Sequence, residues 1–329
     1  MRYKHFTNAD IDVSEMAVGT WAIGGKGLGV VDDDDSIAAI RTMIEGGVNL
    51  IDTAPGYGVG HSEEVVGKAI KGIDRSKIMI STKFGAGPTT LNYAHTQDKA
   101  NRDGTRQNVF YELEQSLKRL DTDHIDFYFM HWPDYKVTAQ ETMEALNEAK
   151  KKGMIRFIGL SNHPKERIEE MMKFGKIDAI QPPYSMVVRR DEDLMKWAKE
   201  KGIDTFTYGS LGAGILTGKY RTLPEFDEGD YRGRFYPFFN EPYFSKVLKV
   251  IEVMDKVSLE CGGRPLSQIA INWSLKKDYV STALVGVKNS KQALENLETF
   301  EWHLSDEHER MIDEAIAEYL DFDGASDKK

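Results

Sequence analysis

Cysteine is almost absent from this chain. Its 329 residues contain one, Cys261, so no intramolecular disulfide can hold the fold together. Long hydrophobic runs are missing too: no uninterrupted apolar stretch approaches the ~20 residues of a membrane-spanning helix, and the opening MRYKHFTNADID has no apolar leader core. Basic charge is not in excess. Lys and Arg number 43 against 53 Asp and Glu, and the formal net charge of −10 disfavours nucleic acid as a partner. His61, His95 and His163 lack helix-period or paired-Cys spacing, so no metal is expected. A cytoplasmic protein acting on a small molecule, with no nucleic-acid or membrane partner, is the reading these absences leave.

What is present is ample core material, 40% hydrophobic and 29% charged. Short runs rich in Val, Ile and Phe alternate with longer segments of helical apolar spacing. Strands are expected at Val13–Val18, Val48–Ile51, Ile78–Ser81, Phe127–Met130, Ile155–Gly159, Ala179–Gln181, Asp204–Thr207 and Thr282–Val285. Helices are expected at Ser36–Glu45, Glu63–Lys71, Arg106–Leu120, Ala139–Lys152, Lys165–Lys173, Glu192–Lys201, Leu266–Lys276 and Lys291–Glu298, with a final one at Asp306–Tyr319. Asp32 to Asp35 suit a helix N-terminus, Thr138 with Glu141 forms a capping-box pattern, and Gly46, Gly153 and Gly202 suit helix ends.

Alternation of this kind, with no composition break between halves, predicts one α/β domain over residues 1–329: a (β/α)8 TIM barrel. YKHF and IDVS around a TNAD turn predict an N-terminal β-hairpin. The Gly-, Pro- and aromatic-rich stretch Gly209 to Tyr243 predicts a long lid-like loop after strand seven, and DGASDKK a frayed tail.

The most informative segment is NLIDTAPGYGVG, in which a strand delivers Asp52 and, across a turn, Tyr57. Lys83 in ISTKFG and His131 in FYFMHW follow the next two strands. In a barrel, strand C-terminal ends share one mouth, so the four should meet. A free phenol has a pKa near ~10, and lowering it by about two units takes roughly 2.7 kcal/mol of preferential phenolate stabilisation. A Lys83 ammonium held by Asp52 is expected to supply it, while His131 hydrogen-bonds the substrate oxygen. Such a set moves protons at a carbonyl or alcohol oxygen but has no hydride of its own, which implies a nicotinamide cofactor. Trp21 and Trp132, beside these motifs, are candidate substrate-binding residues; the lid aromatics Tyr231, Phe235, Tyr236, Phe238 and Phe239 are weaker ones. GAGILTGKY resembles a P-loop only superficially, because Ala213 and Tyr220 replace required Gly and Ser/Thr residues.

GTWAIGG, NLIDTAPGYGVGHSEEVVGKAI, ISTKFG, DFYFMHWPD, IRFIGLSNH, IQPPYS, TYGSLGAGILTGKY and ALVGVKNSKQALENL resemble the blocks of the aldo-keto reductase family, in its bacterial sugar- or stress-related branch, along nearly the whole chain. The resemblance implies that Asp52, Tyr57, Lys83 and His131 are a catalytic tetrad, with Tyr57 as general acid, and that NADPH, or with less selectivity NADH, binds without a Rossmann domain. It assigns the nicotinamide to Ser161, Asn162 and Gln181, with Tyr184 stacking on its ring, and to Thr20 and Trp21 on the cofactor side. The pyrophosphate falls to Tyr208, Gly209, Ser210, Leu211, Gly212 and Gly214, and the adenosine end to Gly286, Lys288, Gln292 and Asn296. Many relatives have Arg where this chain has Lys288, and Pro182 and Pro183 are unusual before Tyr184. Reduction of small aldehydes, ketones or sugar-like carbonyls is the leading expectation. Polyol or sugar oxidation is a second, and a cofactor-sensing module resembling channel subunits a third.

Overall fold

In the computed structural model, residues 1–7, 9–25, 31–91, 101–230 and 232–322 are described. The chain opens with an antiparallel hairpin, β1 (Tyr3–Phe6) and β2 (Ile11–Ser14). Parallel strands follow: β3 (Met16–Gly19), β4 (Leu50–Asp52), β5 (Met79–Phe84), β6 (Ile125–Met130), β7 (Ile155–Ser161), β8 (Ala179–Gln181), β9 (Asp204–Thr207) and β10 (Thr282–Gly286). They close into a barrel in chain order, with β10 pairing back onto β3. Around it lie α1 (Asp33–Glu45), α2 (His61–Ile70), α3 (Arg106–Leu120), α4 (Ala139–Lys151), α5 (Lys165–Met172), α6 (Glu192–Glu200), α7 (Arg232–Phe235), α8 (Tyr243–Glu260), α9 (Leu266–Lys276), α10 (Ser290–Leu297) and α11 (Asp306–Tyr319). No helix among the described residues is long and apolar enough to cross a membrane. The (β/α)8 barrel with its N-terminal hairpin is the fold.

Local chemistry explains the helix ends. The Asp32 carboxylate accepts from the Asp35 amide, capping α1, and Thr138 accepts from the Glu141 amide, capping α4. The Glu141 carboxylate does not return to Thr138 but accepts from the Arg106 amide, so the capping box is half made and ties α4 to α3. After α1 it is Gly47 rather than Gly46 that takes the left-handed conformation, with φ 94° against −73°.

Three expectations need correcting. Val13–Val18 is two strands, because the hairpin ends at Ser14 and the barrel begins at Met16. α8 was not anticipated, although Phe244, Val247, Val250, Ile251, Met254 and Val257 bury one helical face. The long connection expected over Gly209–Tyr243 is present but not without structure: it carries helical turns at Gly212–Thr217, Arg232–Phe235 and Pro237–Phe239 and an aromatic knot of Tyr220, Phe226, Tyr236, Phe238 and Phe239. The tail DGASDKK, Tyr231, His95 and part of GGKGLG lie outside the described residues.

Inside the barrel, Ala17, Leu50, Met79, Phe127, Phe129, Ala179, Phe206 and Leu284 form one cluster, separate from the larger core between strands and helices. Phe6 from the hairpin plugs its base, 5.6 Å from the Phe206 ring and 6.3 Å from that of Phe127. Phe6→Ala should therefore cost about 3–5 kcal/mol, read as a lowered denaturant midpoint with unchanged slope. A loss under about 1 kcal/mol would show that the hairpin is not a stopper.

Candidate active site

Strand parity builds the site. Successive strand residues point to opposite faces, and Leu50, Met79, Phe129, Ala179, Phe206 and Leu284 point inward. Moving toward each C-terminal end two residues at a time, the next inward positions are Asp52, Ser81 and then Lys83, His131, Gln181, Tyr208 and Gly286. Ser161 follows Phe157 and Gly159 in the same phase. These polar side chains form the floor of the C-terminal mouth.

Lys83 and Asp52 make a buried ion pair. Lys83 Nζ donates to Asp52 Oδ2 and to the Thr53 carbonyl, each at 2.8 Å, with the side chains 0% and 3% exposed. Asp52 Oδ1 accepts from Ser81 Oγ at 2.7 Å and Gln181 Nε2 at 2.9 Å. Four donor contacts thus offset the desolvation of two charges, which geometry alone would leave costly. Lys83 Nζ stands 4.9 Å from the centre of the Tyr57 ring, and His131 meets that ring edge-on at 6.1 Å between centroids.

Tyr57 comes from a loop held by two glycines. A Cβ on Gly24 would lie 2.6 Å from the Tyr57 carbonyl carbon, and one on Gly58, at φ 67°, would lie 2.3 Å from the Gly24 oxygen. Only hydrogens at both positions let the two loops touch and fix Tyr57 over Lys83.

Protonation states differ from the sequence reading in one respect. Burial, and after it the Asp52 carboxylate, push the Tyr57 phenol well up, where the cation beside it was expected to lower it. Tyr57 is a held phenol that can give its proton once negative charge develops beside it. Burial lowers Lys83 while Asp52 opposes the shift. Burial, with Lys83 and Arg102 nearby, pushes His131 down to about 3, so it is a neutral imidazole at physiological pH.

Beside this floor lies a polar network. Tyr208 donates to Asn162 Oδ1 at 2.8 Å, Asn162 Nδ2 donates to the His131 carbonyl at 3.0 Å, and Ser161 Oγ donates to the Gln181 carbonyl at 3.0 Å. Next come Gly209, Gly212, Ala213, Gly214 and Gly218, all at positive φ, the backbone geometry of an anion nest. The buried Ser210 Oγ in this nest has no hydrogen-bond partner among the described residues, an orphan polar atom that suits a phosphate acceptor. Burial lowers the Lys288 ammonium, Arg232 and Lys219 nearby lower it further, and Asp230 opposes them. Asn289 caps α10 through the Gln292 amide, while Gln292 Oε1 accepts from the Lys288 amide; Asn296 is buried on the same helix.

Two assignments are corrected. Tyr184 is fully buried, stacked 5.6 Å from Trp273, and its hydroxyl meets Glu192 and Tyr279, so it has no face for a cofactor ring. The chain bends outward after the Pro182–Pro183 pair, and Tyr208, two residues beyond Phe206, occupies the inward position instead. Thr20 is fully buried with its hydroxyl donating to the Asp52 carbonyl at 2.9 Å; it braces the strand end. Gly60 stands at the cap of α2, and Ser62 lies within that helix. Trp21 is 40% exposed at the rim, Trp132 lies 6.5 Å from His131, and Leu211 and Gly286 keep access at the mouth.

Sequence reasoning missed Lys219, set aside with the P-loop likeness, Arg232 and Arg102. It undervalued Tyr236, whose hydroxyl feels Tyr57 and which in turn acts on Tyr208.

No side chain at this mouth can carry an electron pair to or from a carbonyl carbon, while the cradle beside it suits the phosphates of a dinucleotide; barrels so equipped are nicotinamide-dependent oxidoreductases. Comparison with known proteins narrows the class. The model of the Aldo/keto reductase family matches residues 15–317, and the chain belongs to that family. It is 37% identical over 314 residues to aldo-keto reductase YhdN of Bacillus subtilis, covering 95% of this chain and 92% of that protein. It is 33% identical over 331 residues to the NADH-specific methylglyoxal reductase of Escherichia coli, covering 95% and 97%. Among solved structures it resembles the glycerol dehydrogenase AKR11B4 of Gluconobacter oxydans, with TM-score 0.83, 32% identity and coverage of 97% and 96%. The chain is accordingly an NAD(P)H-dependent oxidoreductase, and both carbonyl reduction and polyol oxidation fit the family.

Removing Lys83 should strand a buried carboxylate. Lys83→Met is expected to cost about 3–5 kcal/mol, and Asp52→Asn in the same protein should restore part of it. An unpaired buried carboxyl binds its proton more tightly folded than unfolded, so the deficit should grow as pH rises above ~4. A pH-independent deficit, or none, in urea titrations at pH 5 and 8 would show that the pair is not a buried charge couple.

Proposed function

We propose that this protein reduces small aldehydes, ketones or sugar-like carbonyl compounds with NADPH, and that Asp52, Tyr57, Lys83 and His131 handle the proton. The observation that carries the reading is the lysine–aspartate pair under the face of Tyr57 with a neutral imidazole at its edge. A dihydronicotinamide held in this cradle would supply the hydride. Tyr57 gives its proton to the oxygen on which charge develops; Lys83 stabilises the phenolate left behind, and Asp52 keeps Lys83 charged and aimed. His131 orients the substrate oxygen by a hydrogen bond, and Trp21 and Trp132 flank the substrate. The same groups run alcohol oxidation in reverse, with direction set by the cellular cofactor ratio.

Ser161, Asn162 and Gln181 are proposed to take the nicotinamide amide, Tyr208 its ring, and Gly209, Ser210, Leu211, Gly212 and Gly214 with Lys219 the pyrophosphate. Gly286, Lys288, Gln292, Asn296 and Arg232 take the adenosine end. Preference for NADPH rests on the cations at that end, since a 2'-phosphate adds charge there. Lys288 is a point charge without the guanidinium fork, and a relative is described as NADH-specific, so the margin over NADH is modest in this reading. The whole chain is taken to work as one barrel domain in the cytoplasm, in keeping with its lone cysteine.

Tyr57→Phe is expected to lower reduction of 4-methylbenzaldehyde by about 10²–10⁴-fold while NADPH affinity, followed by its fluorescence, stays within about two-fold. Turnover near the unaltered rate would remove Tyr57 from the mechanism, and cofactor binding without turnover in the unaltered protein would favour a sensing module. Separately, Lys288→Ala should weaken NADPH about 10–100-fold and NADH far less; equal weakening would refute the 2'-phosphate role.

A further inference from the structure

Arg102 stands apart from the other cations of this acidic chain. Its guanidinium lies 5.0 Å from the centre of the Trp132 ring, beside the site floor, and its Nη1 donates to the Pro133 carbonyl at 3.3 Å. Among the described residues this is its one hydrogen bond, which leaves four of its five N–H groups for other partners. Among the described residues no carboxylate pairs with it, although two are close in sequence and space. Asp103 is committed to capping at Thr105, and Asp134 accepts from the amides of Gly104 and Lys136. The backbone on either side is pinned, since the Asn101 carbonyl accepts from the Gly87 amide and the Asp103 amide donates to the Gly85 carbonyl. Arg102 is half-buried in this setting, where an unpaired cation is costly to hold unless a ligand completes it.

Its charge reaches the chemistry: both His131 and His163 are held neutral in part by Arg102. His163 adds no charge of its own. Its Nδ1 lies 2.7 Å from the Ser161 carbonyl, which can only accept, so the proton is on Nδ1 and the buried Nε2 is a bare acceptor. Arg102 over Trp132 therefore places a positive charge beside the site floor, within electrostatic reach of His131, in a protein whose net charge is −10.

We propose that Arg102 is a specificity-determining residue that selects carbonyl substrates carrying a carboxylate or comparable anionic oxygen group over neutral substrates of the same shape. The proposal rests on the reductase reading above. Arg102 stacks on Trp132, which fixes the plane of the fork, and the fork matches a carboxylate bidentately. A carbonyl compound anchored there would turn its other end toward Tyr57 and His131.

The test compares 4-carboxybenzaldehyde with 4-methylbenzaldehyde, alike in size and differing in charge, in the unaltered protein, Arg102→Met and Arg102→Lys. Met keeps an aliphatic stem against Trp132 while removing the charge. Arg102→Met should lower kcat/KM for the carboxylated aldehyde about 10–100-fold and leave the methylated one within about two-fold. Arg102→Lys should keep most of the preference at low salt and lose it as salt is raised. Equal losses for both aldehydes would reduce Arg102 to a packing clamp on Trp132, and no change in either would overturn the proposal outright. If the unaltered protein turns over neither aldehyde, the reductase reading fails by itself. Arg102 is then judged by titrating the NADPH-loaded protein with 4-carboxybenzyl and 4-methylbenzyl alcohol under tryptophan fluorescence. Weakening of the anionic ligand alone by Arg102→Met supports the proposal; unchanged or equal weakening overturns it.

Discussion

The contact between Lys83 and Asp52 governs this molecule's mouth. A charged pair at essentially zero exposure is tolerable only when hydrogen bonds replace its lost water, and here Ser81, Gln181 and the Thr53 carbonyl supply them. Those partners come from β4, β5 and β8, so one ion pair ties together strands distant in the chain. A closed barrel is what brings them together: its strand ends converge, and inward residues from opposite walls come within hydrogen-bond reach.

The pair also decides how the neighbouring groups ionise. Burial, and after it the Asp52 carboxylate, keep Tyr57 a protonated phenol at rest, and burial with Lys83 and Arg102 nearby keeps His131 neutral. Charge separation is thereby deferred to the moment when a substrate oxygen gains electron density. A permanently ionised Tyr57 would have no proton to give; an unaided phenol would not let it go. The close contact of Gly24 with Gly58 adds the positional half of this device by holding Tyr57 over the ammonium rather than in solvent.

Around the ion pair the mouth is electrically divided. The loop after β9 and the start of α10 gather Lys219, Lys288 and Arg232 beside a backbone nest, suited to phosphate. The opposite wall has Arg102 on Trp132. Between them Tyr236 descends from the aromatic knot toward Tyr57 and Tyr208, so the lid's packing and the site's shape are coupled through one side chain.

Much of this was legible in the amino-acid order. Period-two apolar runs ending in Asp52, Lys83 and His131 read as strands with a polar residue at the tip, and the closed barrel follows from their alternation with helices. Less was legible where local signals compete. The aromatic and Gly/Pro content after Thr207 obscured α8, and one apolar run spanning Val13 to Val18 concealed the break between hairpin and barrel, because a strand leaves the same periodicity whichever sheet it joins. What the sequence by itself determined is which residue types stand at which strand ends, since parity is a local property of the backbone. What only the tertiary structure decided is which way Tyr184 and Tyr208 face, how Asp52 and Lys83 are held together, and that Arg102 lies over Trp132 with no carboxylate paired to it among the described residues. Those depend on distances across the barrel, which no local pattern records.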